Sequence, residues 1–269
     1  MQIISSKDNE QIKYIRKLKD KKFRDETNEY LVEGIKLVQE AIEENANIKM
    51  IVICEDCETD KTIEQALLYE IAKYNCIYVT KKLFQTMTDV VSPQGVMAVV
   101  EKGDNIDKID YTEDFILALD GIQDPGNLGT ILRTADSANL KQIILSGDCA
   151  DPYNPKVVRS TMGAIFRMNM VTTPNLLKTL QEIKRHKFEI IVTSLETQKS
   201  IYDIFYHKKV VVIGNEANGV TKEVQELADK KVKIPMLGKT ESLNASVAAG
   251  IMIYEYVREK TKKELFFNT

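Results

Sequence analysis

The sequence predicts a two-domain α/β protein whose second half is built around a mostly parallel β-sheet. From residue 115 onward, short apolar segments typical of buried strands alternate with helical segments, as in a parallel sheet covered on both faces. Before them, residues 102–113 are mostly polar and lack periodicity. We therefore predict a small α/β domain over 1–101, a linker over 102–113 and a larger α/β domain over 114–269.

The first domain alternates between helical and strand patterns. Ile12, Ile15 and Leu18 are spaced as one face of a helix, and the spacing of Ile35, Val38 and the residues up to 42 predicts another. Apolar runs predict strands at 30–33, 48–54, 77–80 and 95–100.

In the second domain, buried strands are predicted at 115–119, 142–145, 189–193 and 210–213. Polar or glycine-containing segments follow the first and last of these. In open α/β sheets, ligands bind beyond the carboxyl ends of the strands. The sequence therefore predicts a ligand site in these strand-end loops.

The composition is that of an ordinary globular protein, 43% hydrophobic and 29% charged. No apolar stretch is long enough to span a membrane, residues 1–7 lack the apolar core of a signal peptide, and the four cysteines suggest no disulfide framework. We expect a cytoplasmic protein that is not associated with a membrane.

The charge distribution bears on nucleic-acid binding. A net charge of −3 argues against a generically basic binder, yet residues 13–24 contain seven cations opposed by one acid. Such a run is either a solvated helix face or a phosphate-binding surface. The cations are Lys13, Arg16, Lys17, Lys19, Lys21, Lys22 and Arg24, and the acid is Asp20.

Three segments of the second domain carry most of the functional information. They are 124–133 (DPGNLGTILR), 211–219 (VVIGNEANG), and 234–236 (IPM) continuing to 242–246 (SLNAS). In this order they resemble the three signature motifs of the SpoU/TrmH branch of the SPOUT superfamily, the knotted methyltransferases that modify RNA. In the first domain, 30–34 (YLVEG) and 92–99 (SPQGVMAV) resemble the accessory RNA-binding domain, ribosomal-protein-like in fold, that often precedes such enzymes.

The resemblance implies an enzyme that uses S-adenosylmethionine, pairs as a homodimer through its C-terminal domain and contains a deep trefoil knot near Leu243. The knot follows from the resemblance alone, since chains generally avoid threading. By the same resemblance, the catalytic candidates are Asn127, Arg133, Glu216, Ser242 and Asn244. The cofactor-binding candidates are Ser194, Leu195, Gly214, Asn215, Ile234, Met236 and Leu243, and the RNA-binding candidates are Lys17, Lys19, Lys21, Lys22, Arg24, Glu33, Arg159 and Ser160.

Several of these residues also have a structural interpretation. Pro125 and Gly126 suggest a tight turn, after which Asn127 would cap a helix starting at Leu128. Residues 242–244 look like a capped helix start. A glycine at 214 would let a ligand lie against the backbone. Ala217 stands where many relatives have glycine, which puts the geometry of that turn in doubt.

Arg133 lies one turn into the helix of the first motif. Guanidinium suits phosphate and is a poor base because it stays protonated. We therefore expect Arg133 to grip the RNA phosphate beside the target ribose, although direct deprotonation stays open. Glu216 is expected to organise the loops and to hydrogen-bond Arg133. For Arg159 and Ser160, an exposed helix face is as good an interpretation as phosphate contact.

Other chemistries find little support. Only His186 and His207 are histidines, and neither lies near a motif, so serine or cysteine catalysis is not expected. Cys54 and Cys57 lack a second metal-spaced pair, and no metal site is expected. The sequence at 238–240 (GKT) lacks the first glycine of a P-loop, because position 233 is Lys233.

The resemblance thus implies methylation of a ribose 2′-hydroxyl. It favours 23S ribosomal RNA as the substrate, because an appended N-terminal domain is typical of family members directed to ribosomal RNA. Two alternatives stay open. One is the same reaction on transfer RNA, and the other is an RNA-binding ribosome assembly factor without catalysis.

Overall fold

The computed structural model of the chain describes residues 3–56, 65–103 and 108–267, with side chains as far as 262. By its internal contacts the chain divides into two compact units. The first unit comprises 1–104 together with 151–167, and the second comprises 105–150 and 168–269. The first unit is therefore built from two separate stretches of the chain.

The first stretch supplies one mixed sheet and its helices. Its strands are β1 (Ile3–Ile4), β2 (Glu29–Glu33), β3 (Ile48–Cys54), β4 (Cys76–Val79) and β5 (Val96–Glu101). Its helices are α1 (Glu10–Lys17), α2 (Lys21–Thr27), α3 (Ile35–Glu43), α4 (Gln65–Ile71) and α5 (Lys81–Gln85). The strand order is β1-β4-β3-β5-β2, and β5 runs antiparallel to both neighbours. Ile12, Ile15 and Leu18 are fully buried, which confirms the predicted helical face.

The remaining elements begin with β6 (Phe115–Asp120), α6 (Pro125–Ser137), β7 (Gln142–Ser146) and α7 (Pro155–Thr161). They continue with β8 (Asn169–Thr173), α8 (Leu176–Arg185), β9 (Glu189–Thr193), β10 (Lys209–Gly214), α9 (Lys222–Leu227), β11 (Lys230–Val232) and α10 (Ala245–Phe267). Short turns of 3₁₀ helix occur at Ala164–Phe166 and Ile201–Asp203. Of these, α7 and the first 3₁₀ turn belong to the first unit.

The second unit contains a six-stranded, wholly parallel sheet in the order β11-β9-β10-β6-β7-β8. All six residues of β6 are buried, as expected of a strand covered on both faces. This confirms the predicted α/β class and parallel sheet. From β6 the chain continues to β7 and β8 on one side, and from β10 it continues to β11 on the other side. The carboxyl ends of the adjacent strands β6 and β10 therefore lie at a switch point, where ligands typically bind.

Three strands, β1, β8 and β11, were absent from the prediction. Part of the predicted linker, residues 104–107, lies outside the described residues. Among the residues that are described, no helix is both long and apolar enough to cross a membrane.

Candidate active site

The second unit contains a cavity of about 360 Å³ at the carboxyl ends of β9, β10 and β11. Its size falls within the ~300–1,000 Å³ typical of ligand pockets. Segments 193–196, 213–220 and 232–236 form its walls, together with residues at the start of α10. It is lined by every residue predicted to bind the cofactor, namely Ser194, Leu195, Gly214, Asn215, Ile234, Met236 and Leu243.

Gly214 ends β10 and is a glycine for a different reason from the one the sequence suggested. A Cβ atom built there would lie 2.1 Å from the carbonyl carbon of Gly219 and 2.1 Å from the nitrogen of Val220. No side chain tolerates such a distance to backbone. The space beside Gly214 is therefore filled by the loop that folds back over it, and this close approach of backbone to backbone shapes the cavity wall.

Asn215 closes that loop. Its backbone exchanges two hydrogen bonds with Gly219, at 3.0 and 2.8 Å. Its side-chain Oδ1 accepts from the amides of Ala217 and Asn218, and its Nδ2 donates to the carbonyl of Gly121 at 2.7 Å. Ala217 has no positive φ, so alanine is compatible with the backbone of this turn, and the doubt raised by its departure from the motif does not apply.

Asp120 supports the loop that forms the cavity wall, and it was not among the residues predicted from the sequence. Asp120 is the last residue of the buried strand β6 and is 4% exposed. Its carboxylate accepts hydrogen bonds from the amide and the hydroxyl of Thr221, at 2.7 and 2.8 Å. It thereby ties the far end of the 215–221 loop to the neighbouring strand. The available signal was an acid ending an otherwise apolar strand, because such a charge needs dedicated partners.

A chain of hydrogen bonds joins the three motifs. Asn127 donates from Nδ2 to Oε1 of Glu216 at 2.6 Å, and Asn244 donates from Nδ2 to Oδ1 of Asn127 at 3.0 Å. The carboxylate can only accept. It therefore fixes the orientation of the Asn127 amide, which in turn fixes that of Asn244.

The predicted capping of α6 was wrong. The helix begins at Pro125, and its N-cap is Asp124, whose side chain accepts from the amide of Asn127 at 2.8 Å. Proline suits the first helical position because its missing N–H would have no partner there. Asn127 thus lies inside the first turn, and its side chain is free to reach Glu216. The predicted capping before α10 is confirmed, since Oδ1 of Asn244 accepts from the amides of Ser246 and Val247.

Arg133 and Ser242 are both exposed, and Ser242 lines the cavity. Within the described parts of the chain, the side chain of Arg133 makes no hydrogen bond or ion pair. The expected bond between Arg133 and Glu216 is absent, and Oε1 of Glu216 accepts from Asn127. The guanidinium is therefore open to an anion from solution.

The other titratable groups do not form a nucleophilic site. Burial raises the pKa of the Cys149 thiol, which disfavours the reactive thiolate. His186 stacks on Tyr111 and His207 lies 3.2 Å from Asp114, and neither lines the cavity. Within the described ranges no cluster of His, Cys, Asp or Glu could hold a metal, while Cys57 lies outside them.

The RNA-binding candidates all lie in the first unit. Lys17, Lys21 and Lys22 are exposed. Lys19 pairs with Asp89 at 2.7 Å. Ser160 donates its hydroxyl to the carbonyl of Lys156 within α7. Arg159 and Glu33 form an ion pair of 3.6 Å.

Arg24 requires a correction. Its side chain is 2% exposed, and its guanidinium donates to the carbonyls of Leu18 and Lys19 and, through two nitrogens, to Oδ2 of Asp151. A local run of cations cannot reveal a partner 127 residues away. Arg24 is a structural arginine, and we do not retain it as a phosphate contact.

Comparisons with known proteins agree with this geometry. Residues 114–254 match the SpoU rRNA Methylase family and residues 9–98 match the MRM3-like substrate binding domain. The chain is 32% identical over 255 residues to the 23S rRNA (guanosine(2553)-2′-O)-methyltransferase RlmP of Bacillus subtilis. The aligned region covers 94% of this chain and 98% of that protein. It is 30% identical over 245 residues to the 23S rRNA (uridine(2479)-2′-O)-methyltransferase of Streptomyces viridochromogenes, covering 88% and 85%.

Solved structures extend the likeness. The AdoMet-bound rRNA methyltransferase from Sinorhizobium meliloti superposes with a TM-score of 0.81 at 31% identity, over 96% of this chain and 97% of that one. The family model and the relatives each span more than half of the sequence. The chain therefore belongs to the SpoU rRNA methylase family and has an MRM3-like substrate-binding domain ahead of its SpoU domain.

Proposed function

We propose that the protein transfers a methyl group from S-adenosylmethionine to a ribose 2′-hydroxyl of 23S ribosomal RNA. The observation that carries this proposal is the convergence of the three motifs, through Asn127, Glu216 and Asn244, beside one cavity at the carboxyl ends of β9, β10 and β11. The names of the relatives support ribosomal RNA as the substrate.

The cavity residues fit the cofactor. The partly exposed side chains of Ile234, Met236 and Leu243 offer an apolar surface suited to a purine ring, while Ser194 and Ser242 supply polar groups for the sugar and amino-acid ends. When bound, S-adenosylmethionine supplies a methyl group already activated on a sulfonium. As the methyl carbon bonds to the ribose oxygen, its bond to sulfur breaks, sulfur keeps the electron pair, and the hydroxyl proton passes to solvent.

Little acid–base machinery is needed, because the main task is to align oxygen, carbon and sulfur. Glu216 holds Asn127 and Asn244 in fixed orientations beside the cavity. Arg133, exposed on α6 and without a protein partner among the described residues, grips the RNA phosphate next to the target ribose. That phosphate assists removal of the hydroxyl proton.

The protein pairs with a second copy through α10 in this proposal. Val247 and Tyr254, which lie two helical turns apart, are 49% and 50% exposed, and half-buried Ile251 lies between them. Such a stripe on one helix face suits a two-fold contact. A monomeric mass by light scattering at micromolar concentration would count against it. We further propose the trefoil knot around Leu243 and, from the ribosomal substrate, action in the cytoplasm.

The test is transfer of radiolabelled methyl groups to unmodified RNA by the purified chain. A 23S ribosomal RNA transcript should be labelled, with the label in dinucleotides that resist alkali, because alkaline cleavage needs a free 2′-hydroxyl. Labelling of transfer RNA alone would shift the substrate to that class. Binding of RNA without S-adenosylmethionine binding would identify an assembly factor without catalysis.

A further inference from the structure

Two ion pairs border one small hollow in the first unit. Nζ of Lys19 lies 2.7 Å from Oδ1 of Asp89, and Nη1 of Arg159 lies 3.6 Å from Oε2 of Glu33. All four residues line the hollow, whose volume is about 10 Å³. It holds no more than about one water, so a phosphate would have to be bound at its rim. A cation of the N-terminal basic run and a cation of α7 therefore share one face.

Glu33 is held in place and turned inward. It ends the edge strand β2, its side chain is 9% exposed, and its Oε1 accepts from the hydroxyl of Thr88. A carboxylate repels phosphate, and this one is engaged inside the unit. Direct contact with RNA, the role suggested by the sequence, is therefore not what this position provides.

Arg159 is only partly satisfied by Glu33. Its side chain is 28% exposed, while Nη1 is buried and has no hydrogen-bond partner among the residues described. The 3.6 Å ion pair exceeds hydrogen-bonding distance. Since guanidinium has five N–H donors in a rigid fork, the pair anchors one edge and leaves the solvent-facing remainder able to bind an anion.

The backbone that bears Arg159 is also fixed. Val157 and Val158 are fully buried, Asn154 caps the helix, and the ring of Tyr153 lies 4.8 Å from that of Tyr30 on β2. With both backbone and side chain held, the guanidinium has a defined position on the basic face.

We propose that Glu33 is a positioning residue, which orients Arg159 so that its outer edge binds a phosphate of the substrate RNA in register with the basic run at α1 and α2. The proposal rests on the proposed function, since it takes RNA as the substrate. In this proposal Glu33 does not contact RNA itself but supports Arg159, which does. The hydroxyl of Thr88 holds the Glu33 carboxylate in place.

The experiment measures the affinity of the full chain for a 23S ribosomal RNA transcript over a range of salt. Arg159→Ala should weaken binding and lower the salt slope by about one unit. Glu33→Gln should also weaken binding, on the order of 3- to 10-fold as for coupled neighbours, but should have no further effect in the Arg159→Ala background. Thr88→Val, which changes no charge, should act in the same direction as Glu33→Gln.

Glu43→Gln is the matched control. Glu43 is an exposed carboxylate of the same unit whose side chain accepts from Gln39, so its replacement reports the general gain from removing a negative charge. If Glu33→Gln tightens binding as Glu43→Gln does, or acts equally in both Arg159 backgrounds, the positioning role is refuted. Thr88→Val keeps the test usable if Glu33→Gln does not fold. RNA binding without methyl transfer would count against the proposed function while leaving this coupling measurable.

Discussion

Asp151→Ala should destabilise the first unit without strengthening RNA binding. In the structure, Asp151 is the counterion of buried Arg24, with side-chain exposures of 11% and 2%. Arg24 makes four hydrogen bonds, two to backbone carbonyls at 2.8 and 2.7 Å and two to Oδ2 of Asp151 at 3.1 and 2.5 Å. Asp151→Ala removes the two hydrogen bonds to Oδ2 and leaves the buried guanidinium of Arg24 without a carboxylate partner.

The size of the effect follows from this geometry. At about 3 Å and an effective dielectric constant of ~20, the attraction between the charges is about 5 kcal/mol, and breaking a buried pair typically costs about 3–5 kcal/mol. Because Arg24 keeps both carbonyl partners, we expect the lower end, about 3 kcal/mol. That corresponds to a fall in Tm of about 10 °C for a unit of this size. Asp151→Asn, which keeps a hydrogen-bond acceptor, should cost roughly half as much.

The assay is urea unfolding followed by circular dichroism, with hydrogen exchange of the β2 amides to locate the effect in the first unit. Lys49→Ala is the control, because Lys49 and Glu101 form an ion pair with exposures of 41% and 32%, and such a surface pair contributes little to stability. If Asp151→Ala left the stability unchanged and raised RNA affinity, Arg24 would be able to bind phosphate once Asp151 is removed. The assignment of a purely structural role to Arg24 would then be refuted.

Three further predictions concern the site and the RNA surface. Gly214→Ala should abolish S-adenosylmethionine binding in calorimetry, because the new methyl group would collide with the backbone of the following loop; unaltered affinity would mean that the loop does not form the cavity wall. Replacing Lys17, Lys21 and Lys22 by Gln should lower the salt slope of RNA binding by roughly 0.7–0.9 for each phosphate that is no longer neutralised and leave cofactor affinity as it was; an unchanged slope would make the run a solvated face. Arg133→Ala should lose most of the single-turnover methylation rate at saturating RNA while binding the cofactor normally, and Arg133→Lys should stay strongly impaired because one ammonium cannot replace the planar fork; a near-normal rate in Arg133→Ala would remove its catalytic role.

Much of the fold could be predicted from local patterns. The predicted bounds of β3 and β9, 48–54 and 189–193, agree with the structure, because each strand has a buried apolar core of at least three consecutive residues. The missed strands lack that signal. β8 is Asn169–Thr173, of which two residues are threonine, and β11 is only three residues long, two of them lysine. Both pair with a neighbouring parallel strand, and this pairing is a long-range property.

The cavity lining could be located from motifs, whereas the roles of single residues often could not. Asp124 and Asn127 are both good N-cap residues, and only the proline at 125, a typical first helical residue, distinguishes them. Arg24 belongs to a basic run in sequence but is buried by Asp151 in space. For Gly214, the sequence predicted that a ligand would lie against the backbone, whereas in the three-dimensional structure the loop that follows Gly214 fills that space.

The central claim is methylation of a ribose 2′-hydroxyl in 23S ribosomal RNA, and the most direct measurement is a map of ribose methylation in RNA from cells with and without this gene. We predict that one 2′-O-methylation of 23S ribosomal RNA disappears on deletion. It should return with the wild-type chain and not with Arg133→Ala, while transfer RNA is unchanged. An identical map of 23S ribosomal RNA with and without the gene would contradict the assignment.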